Sequence, residues 1–238
     1  MEQKRHDLHI AGVGKSAGGI YGKVQLDGAG TISGDMDCTD FVGNGSASIK
    51  GSLTSEKIRI NGNGTVDGPV DAVEVRVDGH AKVKGHLRTR ILKVNGRCHV
   101  QGDVNAPNIE IGGSLKAEHI QSEKIEVKGS FNVDRSIFSE TVDIRLFDRS
   151  EAYEIGGNFI QVRKKGLRIW EQLSFSFRPV RLFVRVIEGN VIDVEYTEAD
   201  IIRANRVILG PGCKVRVVEY SEEFIQDPSA EVGEVRLI

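Results

Sequence analysis

The segment Gly12-Val13-Gly14-Lys15-Ser16 ends like a phosphate-binding loop, in which backbone amides and a lysine cradle a nucleotide. Such a loop needs another glycine five residues before Gly14, where His9 stands, and a helix after it. Gly12, Gly14 and Gly18 fall instead into the register of a repeat, so no nucleotide site is expected. The histidines (His6, His9, His80, His86, His99 and His119) include no HxxxH or HExxH pair. His80, His86 and His99 take positions that neighbouring repeats fill with residues such as Asn63, Arg97, Asp103 and Lys82, which places them outside and away from metal chemistry. Cys38, Cys98 and Cys213 stand far apart with no CxxC and suit reduced, buried thiols. No nucleophile elbow occurs. One stretch is locally basic and aromatic, from Arg163, Lys164 and Lys165 through Arg168 and Trp170 to Arg185. It is a candidate patch for a membrane surface or a partner; the plainer reading has Phe175, Phe177 and Phe183 filling a wide core with arginines outside.

The residues around these candidates follow a strict interval. Gly28, Gly45, Gly62, Gly79, Gly96 and Gly113 stand 17 apart, and Gly34, Gly51, Gly68, Gly85 and Gly102 keep the same interval six residues later. Apolar positions form columns with the same step: Val24, Phe41, Ile58, Val75, Leu92, Ile109; then Ile32, Ile49, Val66, Val83, Val100; then Met36, Leu53, Val70, Leu87, Val104. Small residues form two more, Gly30, Ala47, Gly64, Ala81, Cys98 and Cys38, Ser55, Ala72, Thr89, Ala106. Within a repeat the apolar residues alternate, the period of strands with one buried face. Short strands joined at glycine corners bury that face only by stacking turn on turn, which predicts an all-β parallel solenoid with rungs of about 17 residues and almost no helix. The residue before the first glycine of each rung reads Asp27, Asn44, Asn61, Asp78, Asn95 and Gly112, and a left-handed corner is expected there. As a calcium ladder it supplies too few charged oxygens.

Three segments are expected: a short arm over 1–7, regular rungs over 8–144 and bulkier, less regular rungs over 145–238. Leu8, Ile10, Gly12, Gly14, Ser16, Gly18 and Ile20 fit the rung with one residue deleted. Of the 28 glycines, 21 lie at or before Gly129, whereas 12 of the 14 aromatics lie at or after Phe131, so a wider, bulkier core is expected late in the chain. Val191–Tyr196 is echoed by Val215–Tyr220 at an interval longer than the repeat, which reads as rungs with a longer corner loop. Gly166 to Gln172 reads as a loop or a short helix. The net charge of −2 argues against a protein whose main task is gripping nucleic acid or coating anionic lipid. Neither a signal peptide nor an apolar run long enough to span a bilayer is present, and a cytoplasmic location is expected.

The glycine-cornered pattern Val66-Asp67-Gly68-Pro69-Val70-Asp71-Ala72 and Ile49-Lys50-Gly51-Ser52-Leu53 resembles the repeat of the bactofilins, bacterial polymer-forming cytoskeletal proteins. The resemblance implies a right-handed β-helix that assembles end to end into non-polar filaments without nucleotide and scaffolds cell shape, wall synthesis, division or motility. It departs from the family's usual plan in length and in lacking disordered proline-rich tails. No enzymatic activity, cofactor, nucleic acid or small-molecule substrate is expected. The chain itself is the expected partner, with a paralogous bactofilin and membrane or cell-envelope machinery at the inner face of the membrane as further candidates. Uncapped terminal rungs place assembly contacts near Leu8 and Ile10 at one end and Phe224, Ile225 and Val232 at the other. The alternative is an acyltransferase-like β-helix enzyme, since Gly28 to Gly34 is a six-residue step; the longer step from Gly34 to Gly45 breaks that hexad.

Overall fold

Alternating apolar and polar residues between corner glycines leave each short strand one face to bury, and the chain meets that need by stacking strands in parallel. The computed structural model describes residues 5–164 and 180–238. It divides into two compact units, Met1–Gln121 and Ser122–Ile238. In each unit strand lies on strand in parallel, as in a β-solenoid. No helix occurs among the described residues, hence none long and apolar enough to cross a membrane.

The first unit contains β1 (His6–Ile10), β2 (Val13–Leu26), β3 (Ala29–Gly43), β4 (Ser46–Ile49), β5 (Leu53–Ile60), β6 (Asn63–Val66), β7 (Val70–Val77), β8 (His80–Val83), β9 (Leu87–Val94), β10 (Arg97–Val100), β11 (Val104–Asn105), β12 (Asn108–Ile111) and the start of β13 (Ser114–Val127). The expected columns are core files. Val24 lies on Phe41, Phe41 on Ile58, Ile58 on Val75, Val75 on Leu92 and Leu92 on Ile109, and none is more than 4% exposed. Ile32, Ile49, Val66, Val83 and Val100 form a second file. The deleted residue of the first rung is also visible. Val13 pairs with Ala29, one position short of the repeat interval, whereas Gly19 pairs with Met36 at the full interval. The register slips between Ala17 and Gly19, where Gly19 takes φ of +147°. Cys98 and Cys38 are buried free thiols, and burial pushes them up to about 12 and about 11.

The corner glycines are required for a different reason from the one their neighbours suggest. Asp27, Asn44, Asn61, Asp78 and Asn95 do not have positive φ, nor do Gly28, Gly45, Gly62, Gly79 and Gly96. The expected left-handed corner is therefore absent. Instead, the carbonyl oxygen of each corner glycine points up the stack and accepts the N–H of the residue after the next corner glycine: Gly62 from His80 and Gly79 from Arg97, both at 2.8 Å. A Cβ on Gly79 would lie 2.1 Å from the Gly62 oxygen, and one on Gly96 would lie 2.0 Å from that of Gly79. The rungs approach too closely there for any side chain. In the second series Gly34 alone has positive φ, +108°, and Gly51, Gly68 and Gly85 are again held to glycine by the backbone of the rung beneath.

The second unit contains the end of β13 with β14 (Ser130–Leu146), β15 (Ser150–Lys164), β16 (Leu182–Val194), β17 (Thr197–Leu209), β18 (Lys214–Gln226) and β19 (Glu231–Leu237). Its rung step varies. Leu146 pairs with Lys164, and Ser150 with Leu182, a far longer step. Leu182 then pairs with Thr197, a step shorter than the first unit's, and Lys214 with Glu231, which regains that unit's interval. The echo of Val191–Tyr196 in Val215–Tyr220 does not mark adjacent rungs. Val191 pairs with Arg206 and Val215 with Ala199, because β17 lies between the two segments. Nor do aromatics fill this core: Phe131 is the one buried aromatic among this unit's described residues, while Phe138, Tyr153 and Phe159 are exposed. Leu182 and Val184 point inward and Phe183 outward, beneath the Arg149 guanidinium at 4.1 Å. Aliphatic files such as Ile137, Ile155, Ile187, Ile202 and Val218 fill the interior. The readings for Gly166 to Gln172, Phe175 and Phe177 lie outside the described residues.

A substitution pair tests the close-approach argument. Gly79→Ala is expected to lower the stability of the chain by roughly 1–3 kcal/mol, as overpacking does. Gly12→Ala, whose Cβ would meet nothing within 4 Å, is expected to leave it unchanged. Urea-unfolding midpoints of the two variants decide; equal midpoints would refute the argument.

Candidate assembly edges

The residues that first suggested chemistry are spread over the rungs. Gly12 to Ser16 run into β2, where Gly14 lies beneath Gly30 and Lys15 beneath Thr31, with no helix to follow. His80 and His86 are exposed, and no group of three or more His, Cys, Asp or Glu among the described residues is placed to hold a metal ion. Of the basic patch, Lys165, Arg168 and Trp170 lie outside the described residues. Arg163 is engaged by Asp193 and by Glu195 at 3.6 Å, and the Asp193 contact raises its pKa. Lys164 sits 4.1 Å over the Tyr196 ring, at a corner where Tyr196 takes φ of 46°. Both described cations of that patch thus serve the second unit's own corner.

The Asp/Asn series forms a side-chain ladder along the first unit. The Asn44 amide donates to Asp27 at 2.7 Å, Asn61 to Asn44 at 2.6 Å and Asn95 to Asp78 at 2.7 Å. His9 also meets Asp27, at 2.6 Å. The oxygens that would have faced a cation are used by amides one rung up. Asn44, with His9 and Gln25 adding to it, holds the Asp27 carboxyl down at about 2.

Chemistry left without a partner is concentrated at the two terminal rungs. Among the described residues β1 pairs only with β2, so its other edge is unpaired. Leu8 and Ile10 continue the files of Val24 and Leu26 and are half-buried. Beside them Val13 is 94% exposed and Ile20 61%. At the chain's other end β19 pairs only with β18 and stops opposite Tyr220, leaving Ser221–Gln226 of β18 uncovered. Val235 extends the fully buried file ending in Val218 yet is 44% exposed, and Phe224 extends that of Val142, Ile160, Ile192 and Val207. Val232 caps the file of Ala152, Val184, Ala199 and Val215, and Ile225, Leu237 and Ile238 are exposed. The five residues expected at assembly contacts therefore stand on open edges, and the sequence reading missed Val13, Ile20, Val235 and Leu237. Their apolar type at the outermost rung was the available signal.

The second unit also carries an outward groove of about 1010 Å³. Its charges answer one another: Asp200 faces Arg185 at 3.9 Å and Arg216 at 3.8 Å, and Lys214 meets Glu231 at 2.9 Å.

Comparison with known proteins adds kinship. Over 233 residues, 94% of this chain and 95% of the relative, it is 49% identical to the uncharacterized protein YhbE of Bacillus subtilis (strain 168). The chain belongs to the YhbE family. A shorter match, 36% identical over 87 residues, covers 37% of this chain and 34% of the uncharacterized protein YhbF of the same organism. No family model and no solved structure matches. The YhbE likeness spans nearly the whole of both chains, so it takes in both open edges.

The ladder gives a pH prediction for this YhbE-family chain. Folding depresses the Asp27 pKa from 3.8 to about 2, so its contribution is present above the unfolded value and is lost as pH falls through about 2. Asp27→Asn is expected to flatten the pH dependence of the unfolding midpoint between those two values. An unchanged slope would show that Asp27 contributes nothing to it.

Proposed function

We propose that this protein is structural rather than enzymatic, and that it assembles end to end into filaments without nucleotide. The observation that carries the reading is that core files run to the terminal rungs and stop there uncovered: Leu8 and Ile10 on β1, Val232 and Val235 on β19. An edge strand with free N–H and C=O groups above an interrupted core is a template for a strand of another chain. The resemblance to the bactofilin repeat supports the same reading and suggests a scaffold for a localised cellular task. In it, a paralogue and cell-envelope machinery are the further partners and the cytoplasm is the site of assembly.

Negative-stain microscopy of purified protein without nucleotide tests it: filaments are expected, whereas a discrete small particle would favour the acyltransferase-like reading. Val235→Lys with Leu237→Lys places two charges on the β19 edge and is expected to stop growth. If like ends pair, as in a two-fold contact, that variant halts at dimers through β1; if unlike ends pair, it is a monomer. Sedimentation equilibrium separates these results, and undiminished filaments would remove β19 from the interface.

A further inference from the structure

One face of the first unit has a charge character that the whole-chain balance conceals. It consists of the outward positions of β4, β6, β8 and β10, continued by the first residues of β2, β3 and β13. No outward residue there is a carboxylate; the charged and titratable side chains are Lys15, His80, Lys82, Arg97, His99 and Lys116. Other outward faces of this unit mix signs, with Lys93 meeting Glu110 at 3.1 Å and Arg88 meeting Asp71 at 3.5 Å. Lys82 and Arg97 are exposed, and neither has an acidic side chain next to it in its column: Lys82 lies between Thr65 and His99, Arg97 between His80 and Ser114. The bordering corner adds to the imbalance, since Lys50 and Lys84 share Asp67 at 3.3 and 2.8 Å.

We infer that this face docks on an anionic lipid bilayer. Its geometry suits a plane. β4, β6, β8 and β10 are four-residue strands paired without a register shift, so the cations stand in rows about 4.8 Å apart on a rigid sheet. Each basic residue next to an anionic bilayer raises partitioning about fivefold. Val13, 94% exposed on the same face, offers an apolar side chain to the headgroup region. A single-stranded nucleic acid would want aromatic rings to stack on, and this face has none. A second copy of the same face would be repelled by its charge. The inference holds for a single chain and for a polymer, so it does not rest on filament formation.

Flotation of the full chain with vesicles tests it, because filaments alone do not float. Binding to phosphatidylglycerol-containing vesicles is expected, weakening with salt, with none to pure phosphatidylcholine. Lys82→Glu with Arg97→Glu is expected to cut partitioning by about 25-fold or more, from two cations at about fivefold each, with an unchanged circular dichroism spectrum. Arg59→Glu, on the β5 face, is expected to change it less than about fivefold. Equal binding to both vesicle types, full binding by the double variant, or retention of duplex DNA in place of vesicles would each overturn the inference.

Discussion

Everything in the first unit depends on how closely one rung sits on the next at the corner glycines. The carbonyl of one corner glycine occupies the space where the Cβ of the next would be, 2.0–2.1 Å away for the series from Gly28 to Gly113. That approach lets the same carbonyl accept an N–H of the rung above, so the corner, where the chain turns, stays in the hydrogen-bonded ladder. With corners locked in register, each residue lies on its counterpart in the next repeat all round the turn. The hydrophobic files, the Asn ladder and the charge columns are then consequences of one spacing.

A file of identical environments has no natural end, which distinguishes a solenoid from a globule whose core closes on itself. Each interior rung of the first unit is covered above and below, and residues such as Leu53, Leu92 and Val94 are wholly buried. The outermost rungs inherit the same apolar residue types with only one neighbour. At β19 a charged pair, Arg236 with Glu234 at 2.7 Å, stands among the exposed Val235, Leu237 and Ile238. Such an edge carries both the apolar surface that favours pairing and charges that restrict with what it pairs.

The first unit was legible because its repeat is strict. Comparison at one fixed interval picks out every core file from Val24 to Val104, and even the one-residue deletion before Gly19 is visible as a break in phase. The second unit was not legible by that means, since its rungs advance by unequal steps, short from Leu182 to Thr197 and long from Ser150 to Leu182. A fixed interval then matches segments that never touch, as Val191–Tyr196 and Val215–Tyr220 do. The aromatics misled for another reason: composition says how many there are, and only the alternation of inward and outward positions says that Phe183 faces out while Leu182 and Val184 face in. The reason for the glycines was hidden too. Asp and Asn beside glycine are consistent with a left-handed turn, and the contact that excludes a side chain comes from a residue one whole rung away. The open edges were readable from the missing caps, though their full set of apolar residues needed the register.

Stacking in register also makes charge placement consequential. A charged residue repeated at one position would stand about 4.8 Å from its like in the next rung, an unfavourable arrangement for a column of one sign. The chain resolves this in most columns. Signs alternate, as with Arg203 between Glu188 and Glu219 or Lys214 against Glu231, or amides replace carboxylates, as Asn44 and Asn61 do above Asp27. On the face that carries Lys82 and Arg97 neither device is used, and the neighbours in the same columns are neutral or basic. A net charge of −2 averages this face away with the acidic residues elsewhere. Self-repulsion within a rigid sheet is relieved by anions brought from outside, and a surface of lipid phosphates supplies them in a plane that matches the sheet.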